Sequence, residues 1–538
     1  MRLIALFYSA TCTSCRFTDY LYGMKKMFLQ SVIPSLDRAT IEGEPISSLN
    51  LMERAASTIT QWIFGNDNIL PANIIIMAGP GNNGGDGLVV GRQLTEAYGL
   101  SGITNVAIHS YTSNSSKRSA DCQANIDIFD KKGIKYDINN LTPSFPADSL
   151  IIDALFGTGL SRPLGEPFDR LVGLINDSGC PVLSIDTPSG LGDESTFGDS
   201  AYSAIVRATY TISFQFPRLS HMLPELETYV GTPVVTDINL LQSAIDATET
   251  TYFYADLADF KAIIKPRSRF AHKGSFGRAM VVAGSFGMMG AAEMAVEACV
   301  KSGAGLVTAV VPRCGYEIMQ IANREAMTIV SEADNTIVWN KDIYDNRISA
   351  LGIGPGLGRN DETQTSVRCF IEAYGGKIPI VIDADALFHL AQLIKNENFA
   401  LPQNCILTPH DAEFDRLTHS HQSRLERIRT AQVFAREHNT TVILKGANTA
   451  IALPDGRICF NTTGNAGMAT GGSGDVLTGL LTGLLAQGYS TEEAAVLGVG
   501  LHGMAGDAAA KRYTQISMSA TDILNCIGKA FDDILHKR

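Results

Sequence analysis

Short apolar runs punctuate this chain, and stretches of helical spacing fill the gaps between them. In the first half the runs are Asn73–Met77, Asn105–Ser110, Ser149–Leu155, Pro181–Asp186, Thr209–Phe214 and Pro233–Asp237. In the second half they are Ala279–Ala283, Leu306–Val311, Ile348–Ile353, Ile378–Asp383, Cys405–Thr408 and Thr441–Leu444, with helical stretches from Asp475 onward. Most are rich in Val and Ile and lead into Gly, Pro, Ser or Asp. A strand that is apolar at successive positions is covered on both faces. The pattern therefore predicts α/β units on parallel sheets, with working loops at the carboxyl ends of the strands. Between the halves, Ser243–Thr251 is polar, rich in Ala and Thr, and without a strong period. The boundary is placed there, giving one domain over 24–245 and a second over 250–538. The two resemble each other only in class.

Composition narrows this picture. The chain has 538 residues, too many for one ordinary core. Hydrophobic residues make up 45% and charged residues 18%, as in globular proteins. A net charge of −12 argues against a general nucleic-acid or membrane-surface binder and leaves room for a local basic pocket. No stretch of about 20 apolar residues exists, so no membrane span is expected. Residues 1–23 only faintly imitate a signal peptide, and a start at Met24 or Met27 would make them an extension. Of the ten cysteines only Cys12 and Cys15 form a CxxC pair, without a second pair to complete a metal site. The remaining thiols read as reduced, in a cytoplasmic protein.

Chemistry gathers first around a glycine-rich stretch. The run ending at Met77 leads into Gly79, Gly81, Asn82, Asn83, Gly84, Gly85, Asp86 and Gly87, and Leu88–Leu94 then looks helical. G-x-G-x-x-G alone is weak, and a tight turn explains it about equally well. A dinucleotide fold also needs an acidic residue ending its second strand, and Val106–Tyr111 supplies none. What remains is an anion-friendly loop at a helix start, carrying Asn82, Asn83 and Asp86. Two later strands end in similar loops, one with Asp153, Gly157, Gly159 and Arg162, the other with Asp186, Pro188 and Ser189. Each aspartate alone is most often a cap or turn former. Three such loops on one sheet edge favour a site.

Together with LMERA at 51–55, the segments GNNGGDG, DALFGTGL, DTPSGL, TYTISFQFPR and VTDIN resemble the NAD(P)HX epimerase family over about 31–240. The resemblance implies a Rossmann-like three-layer domain. It implies substrate binding by Asn82, Asn83, Gly84, Gly85 and Asp86, by Gly157, Thr158, Gly159, Leu160, Ser161, Arg162 and Pro163, and by Asp186. It also implies a potassium ion (K+) held by Asn83, Asp153 and Ser189, with Asp186 catalytic at the nicotinamide. The family loop often has Gly or Asn beside the leucine, whereas here Ser161 and Arg162 lead straight into Pro163. The chemistry this implies is simple: ring nitrogen can expel the hydroxyl to leave an iminium, and water can return to either face.

The second half carries Asn461, Gly464, Gly467 and Met468 ahead of Gly471, Gly472, Ser473, Gly474 and Asp475, opening into an apolar helix at Asp475. Backbone N–H groups there would meet an anion, and the aspartate could polarise a hydroxyl facing a phosphoryl group. Other strand ends carry Lys445–Thr449, His410 with Glu413, Gly354–Gly358 and Asp383 with Asp385. HKG, AGS, GPGLG, DADAL, TPHDAE, LKGANT and NAGMATGGSGD resemble the ADP-dependent NAD(P)HX dehydratase family over about 255–535. That implies a ribokinase-like α/β domain. It implies adenine-nucleotide contacts from Lys445, Gly446, Ala447, Asn448, Thr449 and Gly474. It implies substrate contacts from Ala291, Gly356, His410 and Asp475, with Asp475 the base. ADP is the implied co-substrate, with Mg2+, and NADHX or NADPHX the substrate. No nucleic acid or membrane partner is expected, and a homo-oligomer is. The alternatives are a ribokinase-like small-molecule kinase for the second half and a binding scaffold, as in mRNA decapping, for the first. Retention of Asn83, Asp153, Asp186 and Ser189 favours catalysis.

Overall fold

In the computed structural model, residues 24–66, 72–97, 105–112 and 117–536 are described. The expected extension and the Cys12–Cys15 pair lie outside them. The chain divides into two compact units. One is Lys26–Thr250, and the other is Thr251–Arg538 together with Met24 and Lys25. No helix among the described residues is long and apolar enough to cross a membrane.

After a short strand β1 (Lys25–Met27), the first unit is built on β2 (Asn73–Ala78), β3 (Asn105–Ser110), β4 (Asp137–Ile138), β5 (Ser149–Ala154), β6 (Val182–Ile185), β7 (Tyr210–Phe214) and β8 (Thr232–Thr236). The order is β4-β3-β2-β5-β6-β7-β8, and every pairing is parallel. Alternation explains the three layers. Ile74, Ile76 and Ala78 pack on one face with Ile59, Leu88 and Phe129 from helices. Ile75 and Met77 pack on the other with Leu171 and Ile175. The central strands β2, β5 and β6 thus bury both faces, which is why their sequences read as continuous apolar runs. The order reverses between β2 and β5, so the loops leaving those two strands diverge and open a crevice.

The second unit's strands are β9 (Tyr252–Ala255), β10 (Arg278–Val282), β11 (Leu306–Val311), β12 (Met327–Val330), β13 (Ala350–Ile353), β14 (Ile380–Ile382), β15 (Cys405–Leu407), β16 (Thr441–Leu444), β17 (Ala450–Ala452) and β18 (Ile458–Asn461). Within this unit the sheet runs β9-β18-β17-β16-β15-β14-β13-β10-β11-β12. Pairing is parallel from β12 to β16, and β17 is antiparallel to both its neighbours. Helices Met289–Lys301, Ser473–Ala486, Thr491–Ser517 and Ala520–His536 contribute to a core with Ala279, Val281 and Ala309. Here the crevice falls between β10 and β13.

Three readings need correction. The glycine stretch after β2 is not a loop: the helix runs Asn82–Glu96 and takes in Asn82 to Gly87. The terminal helix begins at Ser473, two residues before Asp475. The segment around Ser243, read as aperiodic, contains the helix Gln242–Ala247. The first of these has a packing cause. Glycine's poor helix propensity is outweighed where only glycine allows close backbone packing. A β-carbon on Gly84 would lie 1.9 Å from the Gly79 carbonyl oxygen.

Candidate active sites

In the first unit the carboxyl ends of β2, β5 and β6 line a cavity of about 710 Å³. Asn82, Asn83 and Asp86 enter from the first turns of their helix, Gly157 to Leu160 from the loop after β5, and Asp186 from the end of β6. Asp186 has φ +64°, a left-handed conformation that costs an aspartate roughly 1–2 kcal/mol. Its carboxylate accepts a hydrogen bond at 2.5 Å from Nη2 of Arg218, which is 1% exposed. It also accepts the Thr158 N–H at 3.4 Å. Strain at a residue aimed into a cavity and locked by a buried cation is the pattern of a preorganised group. Beneath it, His221 Nε2 lies 3.1 Å from Ser213 Oγ, which donates to the Asp186 carbonyl. Burial holds the His221 imidazole neutral, with its pKa down to about 3.

Asp153 is fully buried beside this cavity. Ser189 donates to it through Oγ at 2.5 Å and through its backbone N–H at 2.9 Å, and Ser184 Oγ donates at 2.8 Å. The Ser189 hydroxyl also accepts the Phe156 N–H. Burial pushes the Asp153 pKa up despite these donors. Asn83 Nδ2 is buried without a hydrogen-bond partner.

In the second unit, Gly356 follows β13 and adopts φ +62°, and a β-carbon there would come within 3.1 Å of the Ala291 side chain. Ser285 Oγ donates to the Gly356 carbonyl, tying the two loops of the crevice together. Further along the same sheet edge, Lys445 Nζ donates to Asp383 Oδ1 at 2.9 Å, and Thr478 Oγ1 donates to Oδ2 at 2.7 Å. Burial works against charge on Lys445, but Asp383 and Glu413 raise its pKa. Gly474 sits against this pair, its absent β-carbon 3.5 Å from Lys445 Nζ. Gly472, at φ +92°, turns the chain into the helix that carries Asp475. Burial, then the charges of Asp383 and Asp385, push the Asp475 pKa up to about 7 against the pull of Lys445.

Two family models cover these units: NAD(P)H-hydrate dehydratase matches 279–529, and YjeF-related protein N-terminus matches 48–220. The bifunctional NAD(P)H-hydrate repair enzyme of Moorella thermoacetica is 34% identical over 511 residues, covering 91% of this chain and 93% of its own. Its namesake from Thermofilum pendens is 32% identical, covering 93% and 95%. The chain belongs to the bifunctional NAD(P)H-hydrate repair enzyme family. A ribokinase-like superfamily protein from Enterococcus faecalis V583 resembles the second unit, with 29% identity and a TM-score of 0.48 over 53% of this chain and 98% of that one. The repair-enzyme chain is thus an α/β epimerase unit followed by an α/β dehydratase unit.

Within this repair enzyme the two sets of expected residues come together unevenly. Asn82, Asn83, Asp86, Gly157, Thr158, Gly159, Leu160 and Asp186 share the cavity wall. Gly84 and Gly85 are buried behind it, and Ser161, Arg162 and Pro163 are exposed and outside it. After Leu160 the loop runs into solvent, which removes those three from the described pocket. Asn83, Asp153 and Ser189 adjoin one another through the Gly157 loop, where a β-carbon would meet Asn83 at 3.1 Å. In the dehydratase unit Gly356 lies near Ala291, and Gly474 near Lys445. Gly446 and Thr449 close a small turn through the Thr449 hydroxyl. Ala447 and Asn448 lie within that turn. His410 caps the helix Asp411–Leu417 with its Nδ1 and leaves most of its ring exposed.

Sequence reasoning gave no role to Asp37, Arg218, His221, Thr478 or the Asp383–Lys445 pair. Arg218 could have been found, since it lies four residues past Phe214 at a strand's carboxyl end. Asp37 gave no signal, being one polar position on an amphipathic helix.

Proposed function

We propose that the first unit interconverts (R)- and (S)-NAD(P)HX. The second dehydrates the (S) epimer to NAD(P)H using ADP, releasing AMP and phosphate. The observation that carries this reading is the pair of aimed carboxyls. Asp186 faces a cavity with its carboxylate paired to a buried guanidinium, and Asp475 lies in the first turn of its helix, near Lys445, with its pKa pushed up to about 7. A general base works best when its pKa lies near the working pH.

In the epimerase unit the backbone of Asn82–Asp86 and the loop Gly157–Leu160 would seat the nucleotide, with Gly84 and Gly85 packed behind them and Ser161, Arg162 and Pro163 outside this cavity. Asp186 would stabilise the iminium formed when ring nitrogen expels the hydroxyl. A potassium ion belongs to this reading, held by Asn83, Asp153 and Ser189. The surroundings fit it: among the described residues only neutral donors meet the buried Asp153 carboxyl, so a cation would offset the burial that raises its pKa. When bound, the ion supplies fixed positive charge there.

In the dehydratase unit Lys445 to Thr449 and Gly474 would hold the adenine nucleotide, and Ala291, Gly356 and His410 the hydrated one. Asp475 removes the proton of the substrate hydroxyl as its oxygen attacks the terminal phosphoryl group of ADP. The phosphate ester then leaves as ring nitrogen pushes, and loss of the neighbouring proton restores the dihydronicotinamide. Magnesium is expected with ADP, without an assigned side chain. Self-association and a cytoplasmic setting remain part of the reading. Exposed Ile321 and Met327 near the edge strand β12 support the former.

The test uses mixed epimers with ADP, followed by dihydronicotinamide absorbance. The intact protein should convert the whole mixture. Asp186→Asn should stall after the (S) fraction, and Asp475→Asn should convert none while still equilibrating the epimers. A stable phosphate ester as product would replace the dehydratase reading with a kinase.

A further inference from the structure

Asp37 is a carboxyl without a structural task. It lies on the helix Ile33–Gly43, half-buried, and lines the same cavity as Asp186, Asp86 and Arg218. Among the described residues none holds it by a hydrogen bond or ion pair. Its helix does not use it as a cap. A carboxyl kept in a pocket without a partner needs another reason to be there.

The charges around it point to that reason. Three carboxyls, Asp37, Asp86 and Asp186, face the cavity with Arg218, whose guanidinium is bound to Asp186. The other cation of the cavity wall, Arg38, is exposed and follows Asp37 on its own helix. Burial, then the charge of Asp186, lifts the Asp37 pKa to about 6 against Arg218. Burial, then Asp186 and Asp37, holds the Asp86 pKa well above its usual range. One carboxylate is thus fixed as an ion pair while its neighbours favour their protons. Groups driven apart in this way divide the roles of acid and base. Asp37 has the geometry of a donor, since it lines the cavity on a helix of its own and no described residue holds its carboxyl.

We propose that Asp37 is the general acid of epimerisation, giving its proton to the departing ring hydroxyl while Asp186 receives the proton of the incoming water. This rests on the reading of the first unit as the epimerase. In the first step the carbon–oxygen bond breaks, the hydroxyl leaves as water with the Asp37 proton, and the ring-nitrogen lone pair forms the iminium double bond. In the second, a water oxygen bonds to that carbon from the other face. The double-bond electrons return to nitrogen, and the excess proton passes to Asp186. The reverse epimerisation runs with the two aspartates exchanging roles, and proton exchange with solvent resets them. The two carboxyls come from different elements, Asp37 from a helix and Asp186 from a strand end, so that each can act on the ring independently.

The experiment measures epimerisation by the full chain without ADP, starting from one purified epimer and subtracting the spontaneous rate. Asp37→Asn should lower kcat by about 10²-fold with KM nearly unchanged. The wild-type rate should fall as pH rises through about 6, because only the protonated carboxyl donates, and that limb should vanish in Asp37→Asn. Asp37→Glu should restore a measurable part of the rate and the limb. Full activity with the limb intact in Asp37→Asn would overturn the assignment, as would a change in KM alone. Failure of the wild-type protein to epimerise at all would instead remove the underlying reading.

Discussion

Asp475 shows how a single residue's chemistry is set by neighbours far away in sequence. Its pKa of about 7 comes first from burial and then from Asp383 and Asp385, with Lys445 pulling the other way. As a base it must be ionised, so kcat/KM for dehydration should rise with pH through about 7. Asp475→Asn should cost about 10²–10⁴-fold in rate. Asp383→Asn removes one negative charge near Asp475. Its proton affinity should fall, and the rising limb should move to lower pH. A limb left in place in the Asp383→Asn profile would show that Asp475 is not the titrating group. Asp383 itself remains ionised because Lys445 holds its pKa down in spite of burial.

At the scale of elements, the helix Asn82–Glu96 is anchored by how closely it approaches the strand ends. Helix propensity alone predicts that Gly84→Ala would stabilise by up to about 1 kcal/mol. Packing predicts the opposite, since the new methyl would sit 1.9 Å from the Gly79 carbonyl oxygen. Backbone on both sides cannot yield cheaply, and overpacking of this kind costs about 1–3 kcal/mol. Packing should win, lowering the unfolding midpoint of the first unit in calorimetry. Gly173 on the helix Phe168–Asp177 is the control, because no atom lies within 4 Å of its absent β-carbon. Gly173→Ala should leave that midpoint unchanged or raise it. Equal destabilisation by both substitutions would contradict the packing account.

At the scale of the whole molecule, two complete sheets imply two self-sufficient catalysts. Each carries its own crevice at its own reversal of strand order. The linking species is a stable hydrated nucleotide that can diffuse. A mixture of Asp186→Asn and Asp475→Asn proteins should therefore convert both epimers completely with ADP, although neither protein does so alone. If the mixture stalls after the (S) fraction, as Asp186→Asn alone does, transfer within one chain is required.

The amino-acid order by itself determined the fold class and most of the strands. Burial on both faces forces an unbroken apolar run, as in Ile74–Ala78 or Leu306–Val311, and such runs are legible without coordinates. Weakly apolar or edge strands such as β4 and β12, and the antiparallel pair β17 and β18, were not, because their pattern depends on neighbours. The family motifs carried Asp186 and Asp475 into view, each beside its glycines. Only the tertiary structure decided that Asn82–Asp86 form the first turns of a helix. It alone turned Ser161–Pro163 away from the cavity, paired Arg218 with Asp186, and gathered Asp37 into the same pocket. Those outcomes depend on contacts between residues remote in the chain, which local propensity cannot encode.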